Sequence, residues 1–154
     1  MDLRELMNEN IINLNLKAKS KRKAINKIAK MLSKDNRINS LREFIADVYK
    51  REDMESTNMG VGVAIPHSKT IGIKKSSVAL VRLNKEISWE DGGEPVKTIF
   101  LLAVSPEDKG VEHLEVISKI ATLLIDDDFI SLLNSTDDSK ELLDRMDELV
   151  GGEK

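Results

Sequence analysis

Apolar positions recur with two periods along this chain, and the change between them predicts the order of its elements. From Asn10 to Leu16, apolar Ile12, Leu14 and Leu16 alternate with polar Asn13, Asn15 and Lys17, the period-two pattern of a strand with one buried face. The period then lengthens. Ala24, Ile25, Ile28, Ala29 and Leu32 fall on one stripe, with Ser20 placed to cap a helix running to about Ser33. Asn39-Ser40 caps a second helix, with Leu41, Phe44, Ile45, Val48 and Tyr49 inward, that ends near Arg51-Glu52. Polar, glycine-bearing Asp53 to Gly62 predicts a loop, and Val63-Ala64-Ile65 a short buried strand.

The second half continues the alternation. Ser77 to Leu83 predicts a strand, Asp91 to Pro95 a turn, and Val96 to Val104 the most hydrophobic strand. After a loop at Pro106 to Gly110, a helix is expected from about Val111 to Ile125, with Leu114, Ile117, Ile120, Ala121 and Leu124 in register. Short helices near Asp128 to Leu133 and from Asp138 to Leu149 complete the chain. Strands alternating with helices, without repeats or a low-complexity linker, predict one mixed sheet covered by helices, an α/β domain.

Composition narrows this picture. At 154 residues the chain fits one domain, 1–154, and with aromatics at only 3% its core must be aliphatic. Charged residues reach 33% but nearly cancel to a formal −3, with basic residues gathered early and acidic ones late. The basic run Lys17 to Lys23 opens an amphipathic helix and has no aromatic neighbours for stacking, so it reads as a solvated face and nucleic acid is not the expected partner. The absence of cysteine excludes disulfides, thiolate metal sites and cysteine nucleophiles on this chain. The first residues lack the apolar core of a signal peptide, and no window approaches the roughly 20 apolar residues of a membrane span. A cytoplasmic protein, not inserted in the membrane, is expected.

Candidate chemistry centres on one of only two histidines. His67 closes Gly60-Val61-Gly62-Val63-Ala64-Ile65-Pro66-His67. The glycines permit unusual backbone angles and close approach to an anion, and Pro66 fixes φ, stiffening the strand end that carries the imidazole. An imidazole is well suited to accept and return a phosphoryl group or a proton near neutral pH. His113 is expected at a helix N-terminus, where an imidazolium is disfavoured and anions are attracted. Arg51, ending its helix, has a planar fork suited to phosphoryl oxygens, and Thr57 offers a hydroxyl. Each signal is weak alone, and spacing does not show that the groups meet. Metal binding through the two histidines lacks both thiolates and the helical histidine spacing of known sites.

Arg51-Glu52, Thr57 and Gly60 to His67, followed by Trp89, Gly93-Glu94-Pro95-Val96, Ile99 to Leu102 and Glu112 to Ile117, resemble the signature of the type-2 IIA domains of the bacterial phosphoenolpyruvate-dependent sugar phosphotransferase system (PTS). The resemblance covers about residues 10–147 and takes in the fructose, mannitol and nitrogen-regulatory branches, with Trp89 to Leu102 most similar to the fructose-specific type. An arginine sixteen positions before the proline-histidine pair and a histidine forty-six after it make it specific. It implies a mixed, roughly five-stranded sheet flanked by helices, the phosphotransferase/anion-transport-protein-like fold. It also implies that His67 is phosphorylated at Nε2 by the carrier protein HPr or a paralogue, with Nδ1 held by a backbone group. His67 would then pass the phosphoryl group to a IIB component that works with a membrane IIC. His113 would steady the group, Arg51 would neutralise its charge, and Thr57, Gly60 and Gly62 would line the pocket, with no cofactor or metal. The alternative is a regulatory phospho-switch that controls a protein partner. Two positions depart from the pattern. Val61 stands where many relatives carry a polar residue, and Asn58, expected to tolerate positive φ, stands where glycine often follows the threonine.

Overall fold

A computed structural model describes residues 2–151, so Met1 and residues 152–154 of the expected 1–154 unit lie outside the described residues. Five strands form one sheet: β1 (Ile12–Leu16), β2 (Val63–Ala64), β3 (His67–Lys69), β4 (Ser77–Ile87) and β5 (Val96–Val104). β1 lies parallel to β4, β4 antiparallel to β5, and β2 and β3 follow one another along the outer edge of β5, both parallel to it. The sheet is therefore mixed. Every residue from Ile99 to Val104 is buried. Because successive side chains of a strand point to opposite faces, helices must cover both faces of β5.

The helices are α1 (Leu3–Leu6), α2 (Lys21–Lys34), α3 (Leu41–Met54), α4 (His113–Leu124), α5 (Asp127–Ser135) and α6 (Ser139–Met146), with a wide final turn at Asp147–Gly151. Ser20 and Ser40 cap α2 and α3 as expected, each hydroxyl accepting from the backbone N–H three residues on at 3.2 Å. Each such cap contributes about 1 kcal/mol. The α2 stripe is fully buried, and on α3 Phe44 and Val48 are buried while Leu41, Ile45 and Tyr49 pack against them at the rim. The expected strands and helices thus recur at nearly the expected places.

Three differences bear on the site. First, His67 does not close the strand of Val63 and Ala64; it opens β3. The ladder to β5 breaks between the two because Pro66 has no N–H to give, while its carbonyl still accepts from Leu102 at 2.9 Å. Second, β4 runs on to Ile87, past the predicted end at Leu83, because its polar tail Asn84-Lys85-Glu86 continues toward the pairing of Ile87 with Val96. Third, α4 is rotated from its expected phase. Val116, Ile120 and Leu123 are buried, whereas Leu114 is 80% exposed and Ala121 also faces solvent. The helix offers two apolar stripes, and the buried one is the stripe that places His113, three residues before Val116, against the sheet.

Candidate functional site

Four segments meet at the N-terminal end of β3. His67 is the first residue of β3, and Ile65, two residues earlier, has its own N–H donated to Thr57 O at 3.0 Å. The Ile65 carbonyl is left to face the His67 ring, with Nδ1 at 2.9 Å. A carbonyl oxygen can only accept, so Nδ1 carries the hydrogen and the neutral ring has its lone pair on Nε2. The second imidazole repeats this logic. His113 Nε2 lies 3.3 Å from Ser68 O, so Nε2 carries the hydrogen and Nδ1 the lone pair. The two rings stand 4.8 Å apart, centroid to centroid, with planes tilted by 56°.

Both rings are half-buried and line one shallow cavity of about 260 Å³. Asp47, Lys50, Arg51 and Met54 line it from α3, and Ser68 and Lys69 from β3. Arg51 sits in the last turn of α3, where its charge complements the helix dipole, and its Nη1 donates to Glu55 O at 2.8 Å. Three side-chain cations thus border two imidazoles. Asp47, the one acidic residue of the lining, is engaged: Oδ2 accepts from the Ser68 hydroxyl at 2.5 Å and from the Lys69 N–H at 3.3 Å. These bonds fasten α3 to β3 and hold Arg51 and His67 on one wall.

Burial lowers the His113 pKa below its ordinary 6.5, opposed by the bond to Ser68 O; the neighbouring His67, Lys69 and Arg51 lower it further. A pKa below 6.5 leaves the resting ring mostly neutral at pH 7. Its hydrogen, however, is directed at Ser68 and not into the cavity.

The structure brings Arg51, His67 and His113 together. Thr57, Gly60 and Gly62 are not among the cavity's lining residues. The buried Thr57 hydroxyl and N–H both donate to Glu52, whose carboxylate also accepts from Trp89 Nε1 at 3.3 Å and pairs with Lys21 at 2.9 Å. Thr57 therefore anchors the base of the glycine loop. Gly60 and Gly62 turn that loop at φ +82° and +83°. Asn58 does not adopt positive φ; its side chain accepts from Gly60 N at 2.9 Å and donates to Glu94 O at 2.7 Å, tying the loop to the turn before β5.

Asp47, Lys50, Ser68 and Lys69 escaped the sequence reading, although Asp47 and Lys50 lie one helical turn or less before Arg51. Glu52, which belongs to the family signature, gives no sign in the sequence that it gathers Thr57, Trp89 and Lys21. Larger hollows of about 630 Å³ lie elsewhere, one lined by Asn13, Asn15 and Arg82 and one by lysines of α2 and β4, but neither contains an imidazole. Among the described residues no group of three histidine, cysteine or acidic side chains could hold a metal ion, and no helix is long and apolar enough to cross a membrane.

A shallow cavity lined by two imidazoles and a guanidinium defines the candidate site, and comparison with known proteins gives the chain a family. Residues 5–148 match the profile of the phosphoenolpyruvate-dependent sugar phosphotransferase system, EIIA 2. The chain is 32% identical over 153 residues to the PTS system 2-O-alpha-mannosyl-D-glycerate-specific EIIABC component of Escherichia coli (strain K12), covering 98% of this chain but 23% of that protein. It is 34% identical over 128 residues to the nitrogen regulatory protein of Bradyrhizobium diazoefficiens, covering 82% of each. Among solved structures, nitrogen regulatory protein IIA-Ntr from Neisseria meningitidis superposes with a TM-score of 0.80 at 28% identity, covering 92% of this chain and 97% of that one. IIA mannitol from Escherichia coli shares the fold, with a TM-score of 0.76 at 23% identity over 91% of this chain and 98% of that one. The chain belongs to the type-2 EIIA family of the sugar phosphotransferase system. It spans about a quarter of the length of the EIIABC relatives it matches.

Proposed function

We propose that this chain carries phosphoryl groups on His67. The Nε2 lone pair attacks phosphorus of a phosphohistidine on an HPr-like carrier; the donor N–P bond breaks as the His67 N–P bond forms. The phosphoryl group then leaves for a cysteine or histidine of a IIB component. The observation that carries this reading is the 2.9 Å bond from His67 Nδ1 to the Ile65 carbonyl, which fixes the ring and leaves Nε2 as the nucleophile. Arg51, Lys50 and Lys69 supply positive charge at the cavity wall, and Arg51 is cast as the group that neutralises the phosphoryl oxygens. Transfer between two nitrogens needs alignment and charge neutralisation more than a deep substrate pocket, which suits a shallow cavity open to a protein donor.

Relatives named as sugar-specific EIIABC components support a place in sugar uptake, and enzyme IIA mannitol of Escherichia coli, solved in complex with phosphorylated enzyme IIB mannitol, has this fold. A second reading draws on a relative of the other branch, a protein named as nitrogen regulatory, to which the chain is 34% identical over 128 residues. There His67 bears the same phosphoryl group, and its presence controls binding to a protein partner. One experiment addresses both readings. The chain is incubated with labelled phosphoenolpyruvate and the general carrier proteins, then chased with a IIB domain. Label on His67 that moves to IIB supports transport, and label that stays on the chain supports regulation. No label on the chain refutes the proposal.

A further inference from the structure

His113 cannot stabilise a phosphoryl group in the protonation state it has at rest. Its Nε2–H is committed to Ser68 O at 3.3 Å, so Nδ1, the nitrogen left for any other partner, bears a lone pair. Phosphoryl oxygens are acceptors, and an acceptor facing an acceptor repels. Two changes could relieve the clash. The ring could release Ser68 and exchange tautomers, or it could gain a second proton and keep both contacts.

From this geometry we infer that phosphorylation of His67 draws one proton from solvent onto Nδ1 of His113, so that the phosphorylated site contains an imidazolium bridging Ser68 O and the phosphoryl oxygens. The inference rests on the carrier reading of His67. The step balances: one N–P bond breaks on the donor, one forms at His67 Nε2, and the proton comes from water.

Three observations favour proton gain over tautomer exchange. Ser68 is fixed, being 2% exposed, paired with Ala103 of β5 and bonded through its hydroxyl to Asp47 at 2.5 Å. Releasing its carbonyl from the imidazole would remove one hydrogen bond from a group that the ladder with β5 holds in place and that cannot swing toward a replacement. The rings are also close. One added negative charge at the centroid separation of 4.8 Å, with an effective dielectric constant of about 20, raises the proton affinity of His113 by about a hundredfold or more. Finally, burial and the neighbouring cations Lys69 and Arg51 favour the neutral ring of His113. From α3 it meets Lys50, Arg51 and the engaged Asp47; from β3, His67 and Lys69; on α4, Glu112 and Glu115 flank it at the positive helix end. The cations that disfavour the imidazolium at rest are the ones a phosphoryl group would engage.

Linkage gives the consequence. Between the resting and phosphorylated proton affinities of His113, the phosphorylation equilibrium weakens by up to about tenfold per pH unit as pH rises, because a proton is a co-substrate there. The test uses the full chain labelled with 15N in histidine and phosphorylated by phosphoenolpyruvate and the general carriers. Mass spectrometry first locates the phosphoryl group; its absence from His67 overturns the carrier reading and this inference with it. Ring-nitrogen NMR from about pH 6 to about pH 9 then follows His113. The expected result is protonation of both ring nitrogens, with a midpoint about two pH units above that of the unphosphorylated chain. A His113 that stays neutral beside phosphorylated His67, in either tautomer, overturns the inference while leaving the carrier reading intact. His113→Gln should flatten the pH dependence of the phosphorylation equilibrium; an unchanged slope in that variant overturns it too.

Discussion

Replacing Glu52 with alanine should destabilise the protein far more than a residue outside the cavity would ordinarily do. Glu52 is 5% exposed, and its carboxylate gathers Thr57 N–H, Thr57 O–H, Trp89 Nε1–H and the Lys21 ammonium. Breaking a buried ion pair from one side costs about 3–5 kcal/mol. Lys21 keeps 26% of its side-chain surface in water and can re-solvate, which removes much of its share. The two Thr57 donors and the Trp89 N–H cannot follow, and orphaned buried donors cost about 1–3 kcal/mol each, less what water entering the vacated volume recovers. A loss of about 3 kcal/mol remains. For a chain of this size each kcal/mol shifts Tm by about 2–4 °C, so Glu52→Ala should melt about 6–12 °C early. Thermal unfolding followed by circular dichroism reads the shift. The emission of Trp89, the only tryptophan, reports the local change in the folded variant. Glu52→Gln, which keeps an acceptor oxygen for Thr57, should lose about half as much. A Glu52→Ala protein melting within about 2 °C of wild type would refute the claim that this carboxylate holds the base of the glycine loop.

Other changes separate site from scaffold. Arg51→Lys keeps the charge but loses the fork, so phosphotransfer should slow about tenfold or more while Tm stays within about 2 °C; normal transfer with early melting would make Arg51 structural. Gly62→Ala meets no atom within 4 Å but must hold φ at +83°, so it should cost about 1–2 kcal/mol in urea unfolding through backbone strain alone. His113, with its pKa lowered from 6.5, binds a proton more readily in the unfolded chain. Its contribution to stability is therefore complete above about pH 6.5 and is lost as pH falls below that value. Stability curves of wild type and His113→Gln should diverge in that acidic range and run parallel above it.

Much of the fold was legible because burial imposes a period on the sequence. The α2 stripe with its Ser20 cap, the α3 stripe with Ser40, and the alternation of β1 are local signals, and local physics fixes them. β3 was not legible. His67-Ser68-Lys69 has no alternation and no β-branched residue, and it becomes a strand only through its pairing with β5. The phase of α4 was ambiguous for a related reason: two apolar stripes wind around it, and the choice between them is made by the sheet beneath. At the site, residue chemistry singles out Arg51, His67 and His113, but only resemblance to a family joins them in one pocket, since their separations along the chain carry no geometry. Resemblance places Thr57 in the pocket, whereas the structure turns its hydroxyl to Glu52, a residue that the sequence marks as a helix end and part of the family signature without showing its partners. Asn58 was read for its backbone tolerance when its side chain is what the loop uses.

The central claim is that Nε2 of His67 is the atom that takes the phosphoryl group. It is tested most directly by phosphorylating the intact chain through phosphoenolpyruvate and the general carriers, mapping the modified peptide by mass spectrometry, and assigning the modified nitrogen by NMR. The account predicts a single phosphoryl group, on His67, attached to Nε2, with Nδ1 still protonated toward Ile65. A phosphoryl group on His113, on Nδ1 of His67, or on neither histidine would contradict it.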